Sequence, residues 1–333
     1  MTDDIKKIVV IGASAGGMQA TAQLLSKLDP ELDVAVFVVL HIAKHAMSEV
    51  ITKYMQKHTR IPCSIAVNGE SIISRHIYIA PPDRHLIVKP GVVLINDGPS
   101  ENRWRPSIDV LFRSAAVAYD SGVIGIVLSG MLDDGTSGMG AIKKCGGICI
   151  VQEPGEAEFP DMPNNVLNHV DVDHRVLIDD MGYIIQDAVA QQPVMKVHEI
   201  PQEIRIEANI TERLSSSMDD LKKIATHTVF TCPDCGGGLW QINNDSIRRY
   251  RCHTGHVFNE SILLSTQAKA LEESIWVSIR MLEERRNLLL TIAQHEIDES
   301  VRAEKIKRAE TMNTHISSLR TALVAIQEQY AQE

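Results

Sequence analysis

Residues Ile8 to Gly17 read IVVIGASAGG, a β-branched apolar block that runs straight into small residues. A block apolar at every position, not every second one, suits a strand buried on both faces. MQATAQLLSKL follows from Met18 with apolar residues at helical spacing, so the pair predicts a strand that turns sharply into a helix. The alternation recurs. VAVFVVLH from Val34, VIGIVLSG from Val123 and GICIVQ from Gly147 read as buried strands, while SEVITKYMQK from Ser48 and SIDVLFRSAAVAY from Ser107 read as helices. Strand then helix, repeated, implies βαβ units and a doubly wound, Rossmann-like α/β fold on a mostly parallel sheet. RHIYIAPPDRHLIVKPGVVLIND from Arg75 is cut by Pro and Gly and predicts antiparallel hairpin strands added to that sheet.

The opening turn has two readings. A dinucleotide site needs G-x-G-x-x-G, whose second glycine lets pyrophosphate approach the backbone. Ser14 stands in that place, which argues against a nucleotide-binding module. Gly12, Ser14 and Gly16 instead form G-x-S-x-G between a predicted strand and a predicted helix, the setting of a nucleophile elbow. The helix N-terminus beneath it aims free N–H groups at the same point. A nucleophilic serine needs a base and an orienting acid. His41 ends the second buried strand, with His45 one helical turn on as the weaker candidate, and Asp133 and Asp134 follow VIGIVLSG. All lie at the carboxyl edge of a parallel sheet, where such sites gather. Their order, Ser, His, Asp, differs from that of the α/β-hydrolases.

The 333 residues hold 43 acidic against 33 basic side chains, with 44% apolar and 23% charged content. The acidic balance disfavours nucleic acid and anionic membrane surfaces. MTDDIKKIVV has neither the charge of a secretory signal nor the length of a span, so a cytoplasmic protein without membrane insertion is expected. Cys63, Cys145 and Cys149 are scattered among apolar segments as reduced core thiols, whereas Cys232, Cys235 and Cys252 crowd together.

The patterns predict four parts: an α/β domain over residues 1–188, a polar linker over 189–227, a small metal ribbon over 228–258 and a helical tail over 259–333. In FTCPDCGGGLWQINNDSIRRYRCHTGHVF, Cys232-x-x-Cys235 with glycines after it makes a metal knuckle, and Cys252 supplies a third sulfur. His256 is the expected fourth ligand in preference to His253, which adjoins Cys252 too closely to reach the same site. Four protein ligands make a closed, structural zinc site, whose metal supplies much of the ribbon's folding energy. In the tail, Ile275, Ile279, Leu282 and Leu289 share one face, as do Ile316, Leu319, Leu323 and Ile326. The stripes predict two long helices, or a hairpin bent near HEIDES, packed on each other; a coiled coil for self-association or a signalling partner is the alternative.

IGASAGG, LHIAKH, YIAPPDRHL, DGPSENRWRPSIDVLF, SGMLDDGTSGMGAIKKCGG and FPDMPNNVL, in that order from about Ile5 to Leu177, together resemble the catalytic domain of the CheB-type chemotaxis protein-glutamate methylesterases. The resemblance implies Ser14 as nucleophile, His41 as base and Asp134 as orienter, with no catalytic cofactor. It implies hydrolysis of glutamyl methyl esters on chemoreceptor cytoplasmic helices, with glutamine deamidation as a second activity. The backbone amides of Ala15 and Gly16, joined by the Met131 loop, are then the expected oxyanion donors. Arg103 and Arg105 are candidates to steer an acidic receptor helix, with surface ion pairing as the competing use. Two departures stand out: Ala15 where the family often has threonine, and LDD from Leu132 in place of Gly-Asn-Asp. The family also usually carries an N-terminal receiver domain, and this sequence enters the catalytic pattern within its first residues, so control by its own receiver is not expected. The alternative function is a non-catalytic signalling scaffold, which has no use for an intact Ser14, His41 and Asp134.

Overall fold

Alternate residues of the opening strand enter two different cores. Ile8 and Val10 join one cluster and Val9 and Ile11 the other, all fully buried. The computed structural model describes residues 5–191, 199–213 and 217–330. Up to Glu260 they form one compact unit, and from Ser261 onward a second.

The first unit is built on β1 (Ile8–Ala13), β2 (Ala35–Leu40), β3 (Cys63–Ile65), β4 (His76–Ile79), a separate pair β5 (His85–Lys89) and β6 (Val92–Asn96), then β7 (Val123–Val127), β8 (Ile148–Gln152) and β9 (His174–Val176). Seven of these make one sheet in the order β3-β4-β2-β1-β7-β8-β9, every neighbour pair parallel. α1 (Gly17–Ser26), α2 (Ser48–Gln56) and α6 (Ile178–Ala190) cover one face through residues such as Leu24, Leu25, Met55 and Ile185. α3 (Ile108–Tyr119), α4 (Thr136–Lys144) and α5 (Asp161–His169) cover the other through Leu111, Phe112, Ile142 and Val166. Burial on both faces is why the strands are apolar without alternation.

The reading of the Arg75 segment as hairpin strands added to the sheet is corrected here. His76–Ile79 enters the main sheet as a parallel strand, while β5 and β6 pair with each other in a separate two-stranded sheet. Pro81 and Pro82 lack the N–H groups a continuing ladder needs, so the chain leaves the sheet there before β5 begins.

The stretch read as a linker carries α7 (Gln202–Arg213) and α8 (Met218–Ile224); 192–198 and 214–216 within it lie outside the described residues. α7 packs on α3 with Ile204, Glu207 and Ile210 buried. Next comes a four-stranded antiparallel sheet, β10 (Ala225–Thr231), β11 (Gly238–Ile242), β12 (Arg249–Cys252) and β13 (Val257–Asn259). It is joined to the α/β core by a buried cluster of charge. Arg249 bonds both carboxylate oxygens of Glu207 at 2.9 Å, Arg251 reaches Glu101 at 2.5 Å and Glu207 at 3.0 Å, and Arg113 meets Glu101 at 2.6 Å. Burial pushes the Glu207 carboxyl up, but the guanidinium groups of Arg113, Arg249 and Arg251 hold it well below the usual carboxylate range.

Removing one partner of a buried ionic cluster typically costs about 3–5 kcal/mol, because the others are left uncompensated. Glu207→Gln is expected to lose about that much, read as a lower urea midpoint at unchanged slope. The stabilisation from a depressed carboxylate is complete above its ordinary range and is lost as pH falls through the depressed value. The gap between Glu207→Gln and the wild type should therefore close on acidification.

The second unit is a helical hairpin, α9 (Glu260–Gln294, its first residue closing the first unit) and α10 (Glu299–Tyr330), turning at HEID. Ile279, Ile316 and Leu323 are buried, and Arg320–Glu283, Arg286–Asn313 and Gln327–Glu272 bond across it. The two apolar stripes of the sequence are thus the facing sides of an antiparallel pair.

Candidate active site and metal centre

β1 and β2 run in register to Ala13 opposite Leu40, so the next residues, Ser14 and His41, leave adjacent strand ends together. The His41 amide donates to the Ala13 carbonyl at 3.1 Å, and the Ser14 amide to the Ser129 carbonyl, just beyond β7, at 3.0 Å. The turn after Ser14 closes with the Gly17 amide on the Ser14 carbonyl at 2.8 Å. Gly16 has φ +69°, and a Cβ there would meet Glu158 Oε2 and Ser129 Oγ at 2.8 Å. Only glycine fits this turn without strain. The amides of Ala15, Gly16 and Met131 have no backbone acceptor among the described residues.

Asp134 follows β7 and is buried. Its Oδ2 accepts from His41 Nε2 at 2.8 Å and from the Ile108 amide at 2.7 Å; its Oδ1 accepts from the Ser107 hydroxyl at 2.9 Å. The carboxylate thus sits at the first turn of α3, where the helix dipole favours negative charge. Burial pushes its pKa up, but the bond and charge of His41, with the Ile108 amide and Ser107 hydroxyl, bring it below the usual aspartate value. Neighbouring Asp109 goes the other way. Burial, then the Asp134 charge, raise it well above that value, while its Oδ1 takes the Gly138 amide at 2.6 Å and the Gly135 amide at 3.0 Å, pinning the start of α4.

The His41 side chain is fully buried and its ring stacks on Trp104 at 4.0 Å, with 8° between the planes. Nε2 is committed to Asp134, and Nδ1 has no hydrogen-bond partner among the described residues. The imidazole therefore presents an unpartnered Nδ1 next to the serine strand end. His45 is exposed.

The other candidates distribute as follows. Arg105 is held by Asp83 at 3.0 Å and by the carbonyls of Asp97 and Gly98, so its guanidinium serves the loop; Arg103 is exposed, with φ 68°. Met131 and Leu132 are exposed beside Asp133 and Asp134. Pattern reasoning missed Asn102, Trp104, Ser107 and Asp109. Ser107 and Asp109 at the head of an apolar helical run were a legible N-terminal signal, whereas nothing in ENRW marks a residue that stacks on a histidine from elsewhere in the chain.

In the ribbon, Cys232, Cys235, Cys252 and His256 bring one ligand atom each within 4.8 Å of the others. Cys235 Sγ to Cys252 Sγ is 3.7 Å, and His256 Nδ1 stands 3.7 Å from Cys232 Sγ and 3.6 Å from Cys252 Sγ. A tetrahedron with metal–sulfur bonds of about 2.3 Å has edges of about 3.8 Å, so the donor set fits zinc. The Cys252 thiol is brought down to about 3 by its bond to the Cys232 thiol, and His256 is raised to about 9 by Cys252.

Comparison with known proteins bears on the α/β part. The family model for CheB methylesterase matches residues 9–185, over half of the chain. The chain belongs to the CheB methylesterase family. A Leptospira interrogans protein provisionally described as a protein-glutamate methylesterase/protein-glutamine glutaminase is 35% identical over 175 residues, 52% of this chain and 90% of that one. The Chromobacterium violaceum protein-glutamate methylesterase/protein-glutamine glutaminase 1 is 34% identical over 184 residues, 54% of this chain and 51% of that one, so this chain matches about half of the longer relative. The Thermotoga maritima CheB methylesterase catalytic domain, a crystal structure, superposes with a TM-score of 0.52 at 26% identity, covering 54% of this chain and 97% of that one. These matches to CheB proteins cover the α/β domain; no helix among the described residues is long and apolar enough to cross a membrane.

Proposed function

We propose that this CheB-family chain is a serine esterase that hydrolyses glutamyl methyl esters on chemoreceptor cytoplasmic helices, and deamidates glutamine at such sites. The single observation that carries the reading is the imidazole of His41, fixed by Asp134 through Nε2 and open at Nδ1, beside the strand end that bears Ser14. Ser14 Oγ attacks the ester carbonyl as His41 Nδ1 takes its proton, and Asp134 stabilises the cation that forms. The amides of Ala15 and Gly16, with that of Met131, receive the oxyanion. Methanol leaves with the proton from His41; water, activated by the same nitrogen, then releases the carboxylate and restores Ser14. Arg103 remains the candidate to meet an acidic receptor helix.

For the ribbon, Cys232, Cys235, Cys252 and His256 are the proposed ligands of one zinc ion. Four protein ligands close the site, so the metal would hold the fold and take no part in ester chemistry. The proposed boundaries keep the catalytic domain at 1–188 and the ribbon at 228–258, the tail being free for a signalling partner or a second copy.

The test is methanol release from methylated receptor cytoplasmic fragments, wild type against Ser14→Ala at matched zinc content. Release that depends on Ser14 supports the esterase; a folded, zinc-loaded wild type inert toward several receptors overturns it. A second substitution probes the oxyanion loop. A Cβ on Gly130 would lie 2.0 Å from Met162 Sδ and 2.8 Å from Ser14 Cβ. Gly130→Ala must therefore push the Met131 loop off the serine. We expect a loss of about 10²-fold in kcat alongside about 1–3 kcal/mol in stability, seen by comparing turnover with thermal unfolding.

A further inference from the structure

We propose that the metal-held ribbon is a working part of the esterase site, and that Asn102 and Trp104 are the positioning residues through which it acts. The inference rests on the zinc and esterase readings above and goes beyond both.

The ribbon's outer strand does not end the ribbon sheet. Residues 100–102 lie along β13: the Asn102 amide donates to the Val257 carbonyl at 2.9 Å, the Val257 amide to the Ser100 carbonyl at 3.4 Å, and Glu101 bridges Val257 in parallel. Val257 immediately follows His256. The same turn carries Cys252, whose amide donates to the His256 carbonyl at 3.0 Å, and Arg251, which reaches Glu101. Two proposed metal ligands thus set the position of the strand on which the 100–104 strap lies.

From the strap, two side chains reach the catalytic groups. Asn102 is wholly buried, with φ 50°, and its Nδ2 donates to Asp109 Oδ2 at 3.2 Å and to Asp134 Oδ1 at 3.4 Å. Trp104 covers the face of His41. A second link runs from β13 directly: Asn259 Nδ2 bonds Asp133, the residue before the proposed orienter. From metal ligand to orienting carboxylate the path is His256, Val257, Asn102, Asp134, all within one compact unit.

A left-handed, buried asparagine keeps this conformation only while its surroundings enforce it. The enforcing element is a small sheet whose β12–β13 turn is clamped by the metal. Without metal, three sulfurs within 4.8 Å of one another lose the charge that holds them together. The turn relaxes, Val257 leaves register, and the strap carries Trp104 off His41 and Asn102 off Asp134. The imidazole then loses its fixed orientation beside the strand end that bears Ser14, and a misplacement of about 1 Å costs roughly 10²-fold in rate.

The experiment uses the full chain with zinc content measured throughout. Zinc is removed with a chelator and, separately, by Cys235→Ser, the exposed ligand. Hydrogen exchange is followed at the Asn102 amide and across 130–138, together with methanol release. The expected result is faster exchange at Asn102, a fall of about 10²-fold in kcat, and recovery of both when zinc is returned to the chelated wild type. In zinc-loaded protein, Asn102→Ala and Trp104→Ala are expected to lower kcat by at least about tenfold at similar KM, with the acid limb of the pH profile displaced. Trp104→Phe, which keeps a ring on the imidazole, should recover most of the rate.

Unchanged exchange at Asn102 after verified zinc loss overturns the coupling, as does a purified chain that takes up no zinc. Wild-type rates in zinc-loaded Asn102→Ala and Trp104→Ala overturn the positioning roles. If zinc-loaded wild type turns over no methylated receptor, the esterase reading fails, and the exchange measurement still decides the coupling by itself.

Discussion

Ser14→Ala is expected to lower methanol release by at least about 10⁴-fold while leaving the fold and zinc content intact. Removing the nucleophile of a triad costs about as much as removing the whole triad, because the remaining base and acid then have no hydroxyl to act on. The residual rate would come from binding and the oxyanion donors. Stability should hardly change, because the hydrogen bonds that shape the turn are backbone ones: the Ser14 amide to Ser129 and the Gly17 amide to the Ser14 carbonyl. The comparison of kcat with the urea midpoint separates the two effects. A variant that still releases methanol at more than a hundredth of the wild-type rate would remove Ser14 as nucleophile.

Asp134→Asn is expected to cost about 10⁴-fold in kcat, for a different reason. Asp134 Oδ2 accepts from both His41 Nε2 and the Ile108 amide. An asparagine cannot offer acceptors at both oxygens. With its oxygen on the Ile108 amide, its NH₂ lies against the Ser107 hydroxyl; reversed, its NH₂ opposes two donors. The reversed arrangement leaves the Nε2–H without an acceptor and so loses the tautomer that leaves Nδ1 open, whereas the first keeps that bond but sets the NH₂ against the donors of Ser107 and Asn102 and removes the charge that would stabilise the imidazolium. The wild-type carboxylate lies below its usual pKa, so it stays ionised as pH falls through the ordinary aspartate range. Activity lost on mild acidification should then not follow protonation of Asp134, and Asp134→Asn should lower the rate across the same pH range. A pH–rate series on both proteins reads this directly.

Residues near one another in sequence were the legible part of the site. Ser14 was readable because strand, serine, small neighbours and helix are contiguous, and His41 because it ends a buried run. Cys232, Cys235, Cys252 and His256 were readable from knuckle spacing. The 189–227 stretch looked like a linker because its composition is polar, yet α7 brings Glu207 into a buried cluster with Arg113, Arg249 and Arg251. A buried carboxylate matched by distant guanidinium groups has the same composition as a solvated one. For the same reason Arg105 read as a candidate substrate contact, although Asp83 and two carbonyls occupy it.

What the sequence determined by itself is the doubly wound sheet, the strand ends that bear Ser14, His41 and Asp134, the clustering of Cys232, Cys235, Cys252 and His256, and the two long helices with their apolar stripes. These follow from periodicity and short-range spacing, because the direction of a side chain along a strand or helix is set locally. Only the tertiary structure decided which ring nitrogen of His41 meets Asp134, that Trp104 stacks on the face of that ring, and that the ribbon's last strand takes up the 100–102 strap. Those relations depend on register and packing between segments distant from one another along the chain. Their energies come from burial and charge pairing once the chain has closed, and single side chains carry no periodic trace of them.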